Sequence, residues 1–208
     1  MPQAPSNPQV FNVPNSVTAA RLVLSIVVFV LIPRQLYLAA LIVFLVTAST
    51  DWVDGFWARK YGQVTQLGRI FDPFADKIAI CGTFIFLSAE AGSGIPAWIS
   101  VVVVGRELLV TALRGYLEQH GSDFSASFSG KLKMVFQCAA VVASLWVLHV
   151  GAGEGSLRTL WYGSSEVLPT WLYLALFICV WLAVVSTVQS GTEYIFRAAR
   201  LLRGSGAA

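Results

Sequence analysis

Six apolar runs, each about as long as a membrane-crossing helix, dominate this sequence of 208 residues. A helix needs about 20 apolar residues to cross about 30 Å of hydrocarbon. We predict helices at about residues 16–32, 36–57, 68–91, 95–117, 133–150 and 168–189. The chain is 56% hydrophobic and only 12% charged, whereas soluble domains carry about 25% charged residues. These features predict an all-α, polytopic membrane protein with six transmembrane helices.

The segments between the runs resemble turns, and the runs do not show the alternating polarity of strands in a membrane barrel. We expect residues 1–15 to form an N-terminal tail or interfacial segment. Residues 16–200 should form the membrane domain, and residues 201–208 a C-terminal tail. The net charge of +3 is too small to indicate a nucleic-acid partner.

The basic residues predict the orientation of the chain in its membrane, because cytoplasmic loops carry an excess of Lys and Arg. If both termini are cytoplasmic, the outer side receives only Arg34 and Arg158. The inner side then receives Arg21, Arg59, Lys60, Arg69, Lys77, Arg106, Arg114, Lys131, Lys133, Arg197, Arg200 and Arg203. We therefore expect both termini, and the polar residues near them, to face the cytoplasm.

Four aspartates flank the turn between the second and third runs. Asp51 and Asp54 are three residues apart, and Asp72 and Asp76 are four apart, so each pair lies on one face of its helix. Charged residues within a membrane are expensive and usually functional. Two facing pairs of carboxylates would repel each other unless cations separated them. The pattern predicts a site for Mg²⁺ or Mn²⁺, with enough carboxylates for two ions.

Small residues accompany these aspartates. Gly55 and Ala58 follow the first pair on the same stripe, and Gly68 precedes Asp72 by four positions. They leave space beside the carboxylates, and Arg59 adds a cation suited to a phosphate oxygen. Together these residues suggest a pyrophosphate substrate. The alternative is a solvated helix-loop-helix in which the aspartates pair with Arg59, Lys60, Arg69 and Lys77.

The order Asp51-x2-Asp54-Gly55-x2-Ala58-Arg59-x8-Gly68-x3-Asp72-x3-Asp76 resembles the signature of the CDP-alcohol phosphotransferases at all eight fixed positions. The resemblance implies six helices around a cytoplasm-facing polar cavity, and a homodimer. It implies that the metal ligands are Asp51, Asp54, Asp72 and Asp76. It makes Asp76 the catalytic base as well, and it places Asp54, Gly55, Ala58, Arg59 and Gly68 at the CDP group.

The later segments "GRELLVTALRGYLEQHG" and "SGKLKMVFQCAA" carry basic residues near the same side of the membrane. Arg106, Arg114, Lys131 and Lys133 are candidates for binding the phosphate of an anionic acceptor, although Arg106 could instead pair structurally with Glu107. These segments look like the bacterial, phosphatidylglycerol-phosphate-forming branch of the family. That resemblance implies an inner-membrane enzyme that transfers a phosphatidyl group from CDP-diacylglycerol to sn-glycerol 3-phosphate, releasing CMP.

Three other functions are compatible with parts of the pattern. A member of the same family could use another acceptor, such as inositol phosphate, serine or a lipid. An intramembrane prenyltransferase also uses aspartates and Mg²⁺, but at different spacings. A cation transporter would bind its ion near the middle of the membrane, whereas these four aspartates lie near one face.

Overall fold

The computed structural model describes residues 13–61, 66–119, 128–151 and 169–205. Within these ranges there are six helices and no strand. The helices are α1 (Val13–Leu31), α2 (Tyr37–Tyr61), α3 (Gln66–Ala89), α4 (Ala97–Gln119), α5 (Phe128–Gly151) and α6 (Thr170–Ser205). The predicted all-α class is confirmed, and one helix corresponds to each apolar run.

The helix boundaries agree with the sequence prediction to within three residues at most ends. The exceptions are α2, which ends four residues later than predicted, α5, which begins five residues earlier, and the end of α6. This helix has 36 residues and continues to Ser205, whereas the predicted run ended near residue 189. Hydropathy falls there, but the following residues, "EYIFRAARLLR", contain no proline or glycine. Because Ala, Leu, Arg and Glu all favour a helix, the helix continues after the apolar run has ended.

The six helices form a closed ring of contacts. Helix α1 packs against α2 and α3, α2 against α5, α5 against α6, α6 against α4, and α4 against α3. The order around the ring is therefore α1, α2, α5, α6, α4, α3. A further contact joins α3 and α5 across the ring. Helix α6 lies between α5 and α4, because it contacts both.

Hydrogen bonds show which helix ends lie together. The hydroxyl of Tyr37, the first residue of α2, donates to Glu90, just after α3, at 2.9 Å. The Ser144 hydroxyl near the end of α5 donates to the carbonyl of Ser93 at 2.7 Å. Gly94 has a φ of +70° and packs against Leu176 near the start of α6. Successive helices therefore run in alternating directions.

We call the end of the bundle that contains these contacts the aromatic end, because Trp98 and Trp171 are exposed there, at 48% and 66%. We call the opposite end the aspartate end, because α2 ends and α3 begins there. Trp side chains prefer membrane–water interfaces. The exposure of these two residues is therefore compatible with a position at a membrane–water interface.

Large apolar side chains are exposed on all six helices. They include Ile26 on α1, Ile42 on α2, Ile85 on α3, Val101 on α4, Val135 on α5 and Phe177 on α6. In the part of the chain that the structure describes, two stretches are long and apolar enough to cross a membrane, Leu132–Gly151 and Thr170–Arg200. The shorter apolar stretches are Thr18–Leu31, Tyr37–Ser49 and Lys77–Ala89.

Helices α1 and α3 approach closely at Gly82. A Cβ atom at this glycine would lie 2.7 Å from Cε1 of Phe29 on α1. The Phe29 ring is stacked on Phe86, one turn further along α3, with ring centroids 5.1 Å apart. The absence of a side chain at Gly82 therefore lets the ring of Phe29 lie against the backbone of α3, as small residues do in membrane helix packing.

Replacing Gly82 with Leu should destabilise the bundle, since the new side chain would have to displace the stacked Phe29 ring. Overpacking a helix contact costs about 1–3 kcal/mol. Thermal denaturation of the detergent-solubilised protein measures this effect. Gly115→Leu is the matched control, because no atom of the described residues lies within 4 Å of a Cβ at Gly115. Equal melting temperatures for the two variants would contradict the close α1–α3 contact.

Candidate active site

The four aspartates of the sequence motif lie on α2 and α3. Asp51 and Asp54 are in the second half of α2, and Asp72 and Asp76 are in the first half of α3. Because both segments are helical, spacings of three and four place each pair on one face. The side chains of all four fall outside the described part of the structure, and their role as metal ligands stays a prediction.

The residues predicted to border the CDP group share these helices. Gly55, Ala58 and Arg59 follow the first aspartate pair on α2, and Gly68 precedes the second pair on α3. Lys131, a candidate for the acceptor phosphate, is in the first turn of α5. The side chains of Ala58, Arg59 and Lys131 also fall outside the described part.

A buried ion cluster joins α4 to α5. Nη1 of Arg106 donates a hydrogen bond to Oε1 of Glu107 at 2.9 Å, and Nζ of Lys133 donates to the same oxygen. All three side chains are only 8% exposed. Two of the four predicted acceptor residues therefore meet at one carboxylate. Arg114 is half-buried two turns after Arg106 on α4.

Helix α6 adds residues to this cluster that the sequence did not single out. Nη2 of Arg106 donates to the hydroxyl of Ser190, which is fully buried. The guanidinium lies over the ring of Tyr194, with its Cζ 5.7 Å from the ring centroid. One turn nearer the aromatic end, Nε2 of Gln137 donates to the Thr187 hydroxyl at 2.9 Å. A polar layer thus connects α4, α5 and α6.

A weak sequence signal for this layer existed. Thr187, Ser190 and Tyr194 recur at spacings of three and four in an otherwise apolar helix, which places them on one face. Nothing in that pattern identifies Arg106, 84 positions earlier, as their partner. Only the packing of α6 against α4 reveals the contact.

Two cations of the cluster, Arg106 and Lys133, share the carboxylate of Glu107. Burying charge is unfavourable unless it is paired and hydrogen-bonded. Nε of Arg106 is buried and has no acceptor among the described residues, so the cluster favours an anion as ligand there. Guanidinium and ammonium groups are the usual partners of phosphate in proteins. The described cluster is therefore suited to bind a phosphate.

The aspartate motif has the chemistry of a divalent-cation site. Carboxylate oxygens are the ligands that Mg²⁺ and Mn²⁺ prefer, and the helical backbones of α2 and α3 keep each pair on one face. Among the described side chains no group of three or more His, Cys, Asp or Glu residues could hold a metal. The four motif aspartates were outside that set, and the sequence motif makes them the predicted ligands of a cofactor.

Comparison with known proteins agrees with the motif. The family model for CDP-alcohol phosphatidyltransferases matches residues 11–189, from before α1 to the middle of α6. The match therefore extends well beyond the motif between Asp51 and Asp76.

Three curated relatives are named CDP-diacylglycerol–glycerol-3-phosphate 3-phosphatidyltransferase. The protein of Bacillus subtilis (strain 168) is 35% identical over 202 residues, which cover 88% of this chain and 93% of the relative. The Shigella flexneri serotype 5b (strain 8401) protein is 31% identical, covering 73% of this chain and 90% of the relative. The Escherichia coli (strain K12) protein is 33% identical, covering 65% and 78%. With a family match over most of its length and relatives of this similarity, the chain belongs to the CDP-alcohol phosphatidyltransferase family.

Proposed function

We propose that this protein transfers the phosphatidyl group of CDP-diacylglycerol to sn-glycerol 3-phosphate, forming phosphatidylglycerol phosphate and CMP. The observation that carries the choice of acceptor is the buried pair of cations, Arg106 and Lys133, around one carboxylate. Serine has no phosphate that needs these two cations, whereas glycerol 3-phosphate, inositol phosphate and a phospholipid each have one. The names of the relatives favour glycerol 3-phosphate among these.

Positions along the helices support a shared site for donor and acceptor. Lys133 is in the second turn of α5, and Asp72 is in the second turn of α3. Both helices begin at the aspartate end, and α3 and α5 contact each other. The acceptor phosphate bound by the cluster and the diphosphate held by the motif would therefore lie in the same half of the bundle.

The aspartates would hold the cofactor. Asp51, Asp54, Asp72 and Asp76 would ligate one or two Mg²⁺ or Mn²⁺ ions. When bound, such ions neutralise the diphosphate oxygens and stabilise the leaving CMP. Gly55, Ala58 and Gly68 would leave room for the nucleotide beside the ligands, and Arg59 would contact a phosphate oxygen.

Asp76 would act as the base. The attacking hydroxyl of glycerol 3-phosphate forms a new bond to the phosphorus that carries the diacylglycerol. The bond from this phosphorus to the oxygen of CMP breaks, and CMP leaves with that oxygen. The hydroxyl proton passes to the carboxylate of Asp76. Such a transfer depends mainly on positioning and on neutralising charge, which the two polar regions would supply.

The membrane arrangement is part of the same proposal. Six helices would span the inner membrane of a bacterium around a polar cavity, with both termini and the aspartate end facing the cytoplasm. The exposed apolar side chains on all six helices support this arrangement, as does the inner-side excess of Lys and Arg. The lipid tails of CDP-diacylglycerol would remain in the bilayer, and the protein would act as a homodimer.

Replacing Asp51 or Asp72 with Asn should abolish CMP release and weaken Mn²⁺ binding, because each change removes a charged metal ligand. The variants should still elute as folded protein in detergent. CMP release from CDP-diacylglycerol and Mn²⁺ titration measure the two effects. Asp123→Asn, outside the motif, is the control. Full activity in either motif variant would exclude the metal site.

Asp76→Asn should separate donor binding from turnover, since an amide keeps the size of the side chain but cannot accept the proton. We expect at least a hundredfold loss of kcat, typical of removing a general base, with a smaller change in affinity for CDP-diacylglycerol. Equilibrium binding of the donor and the turnover rate measure the two separately. A proportional loss of both would remove support for Asp76 as the base.

Arg106→Ala should raise the KM for glycerol 3-phosphate while the KM for CDP-diacylglycerol stays nearly constant. A hydrogen bond to a charged group contributes about 1.5–3 kcal/mol, so the increase should be about tenfold to a hundredfold. Arg197→Ala is the control, because Arg197 is exposed and pairs with Glu193 on the same helix. If the wild-type protein used glycerol as well as glycerol 3-phosphate, the phosphate site would be wrong.

A further inference from the structure

The guanidinium of Arg106 is fixed on several sides by two helices. Glu107 of α4 accepts from Nη1, and Ser190 of α6 accepts from Nη2. The ring of Tyr194 lies under the guanidinium plane. The aliphatic part of the side chain lies against Gly191, where an added Cβ would be 3.2 Å from Cγ of Arg106. These contacts leave the guanidinium little freedom to turn.

One nitrogen of this group has no hydrogen-bond partner. The Arg106 side chain is only 8% exposed. Its Nε is buried, and no acceptor among the described residues contacts it. Buried N–H donors are nearly always paired in folded proteins. An N–H that is buried and cationic, and that has no acceptor among the described residues, is suited to an oxygen of an anionic ligand.

We infer that Ser190, Gly191 and Tyr194 form a positioning wall that makes the site selective for a phosphorylated acceptor. The wall holds the guanidinium so that its Nε–H is presented to the acceptor phosphate. The inference rests on the proposed function, because it takes Arg106 as a phosphate ligand. The three residues act through Arg106, and all lie beyond residue 189, where the family match ends.

Each wall residue makes a different contribution. Ser190 is fully buried and fixes Nη2. Gly191 lets the Arg106 stem lie close to α6, since an added methyl group would be 3.2 Å from Cγ of Arg106 and would shift the stem by a few tenths of an ångström. Tyr194 is 5% exposed and packs with Val110 and Ala198, so its ring cannot move away from the cation. An aromatic ring under a desolvated guanidinium attracts it electrostatically.

The contacts from α6, more than the ion pair with Glu107, set the orientation of the Arg106 guanidinium. Glu107 is shared with Lys133, and Glu107 can keep Lys133 as its partner when Arg106 turns. Ser190 and Tyr194 contact Arg106 from a different helix and from two directions. Loss of either should let the guanidinium rotate toward Glu107 and withdraw Nε from the acceptor.

The test compares acceptor and donor kinetics of wall variants in the full-length, detergent-solubilised protein. Ser190→Ala, Gly191→Ala and Tyr194→Leu should each raise the KM for glycerol 3-phosphate by about tenfold, the loss expected for one contact to a charged group. Their KM for CDP-diacylglycerol should change less than twofold. Inorganic phosphate, tested as a competitor of glycerol 3-phosphate, should lose inhibitory strength in parallel.

Matched variants separate positioning from general damage. Tyr194→Phe keeps the ring and should restore nearly wild-type use of glycerol 3-phosphate. Thr192→Ala removes an exposed hydroxyl that bonds to its own helix, and Gly105→Ala adds a methyl group where no atom lies within 4 Å. Both should leave the two KM values unchanged. If Tyr194→Leu does not fold, Ser190→Ala and Gly191→Ala still decide the question.

Arg106→Ala makes the two possible failures distinguishable. If it leaves the KM for glycerol 3-phosphate unchanged, the proposed acceptor site fails, and the wall has no function to support. If Arg106→Ala raises this KM but the wall variants that fold do not, the acceptor site stands and the positioning wall is overturned. A parallel rise of donor and acceptor KM in the wall variants would also overturn it.

Discussion

The sharing of one carboxylate by two cations is the interaction on which this structure depends most. Glu107 joins Arg106 to Lys133, and through them it connects α4 to α5, while Ser190 and Tyr194 connect Arg106 to α6. Removing one member of a buried charge cluster is strongly unfavourable, so these three helices are held in register by polar contacts as well as by packing. Nε of Arg106 has no acceptor among the described residues, so the arrangement that fixes the helices also leaves a buried donor suited to an anion.

The ring of helices explains how residues distant in sequence contribute to one half of the bundle. Since successive helices alternate in direction, α2 ends at the aspartate end and α3 and α5 begin there. The motif aspartates on α2 and α3 and the cation on α5 therefore share that half. The opposite half is tied by other side-chain hydrogen bonds, such as Ser144 to the carbonyl of Ser93 and Tyr37 to the carboxylate of Glu90. The residues proposed to act in catalysis thus lie toward the aspartate end, and these structural hydrogen bonds lie at the aromatic end.

Much of the fold could be predicted, because apolar runs of about 20 residues have few structures open to them. The end of α6 could not be predicted from hydropathy, since its last turns are helical without being apolar. The motif aspartates stood out because charge is rare in such a chain. Arg106 and Lys133 stood out for the same reason, and Glu107 was a possible partner of Arg106. That Lys133 shares Glu107 could not be predicted, because it depends on how the helices are arranged. Ser190 and Tyr194 are ordinary residues in an apolar helix, and only their neighbours across the ring give them significance.

The place of α6 in the ring has a consequence for biosynthesis. A chain is made from its N-terminus, so in the proposed membrane arrangement Arg106 would enter the membrane before Ser190 and Tyr194 have been synthesised. A lone arginine in hydrocarbon is expensive, yet its sequence neighbour, Glu107, would be present from the start and could neutralise it within α4. Helix α6 would then insert beside α5 and α4, which it contacts, and supply the remaining contacts. Because Glu107 is the next residue, Arg106 would have a charged partner within α4 before its contacts on α6 have been made.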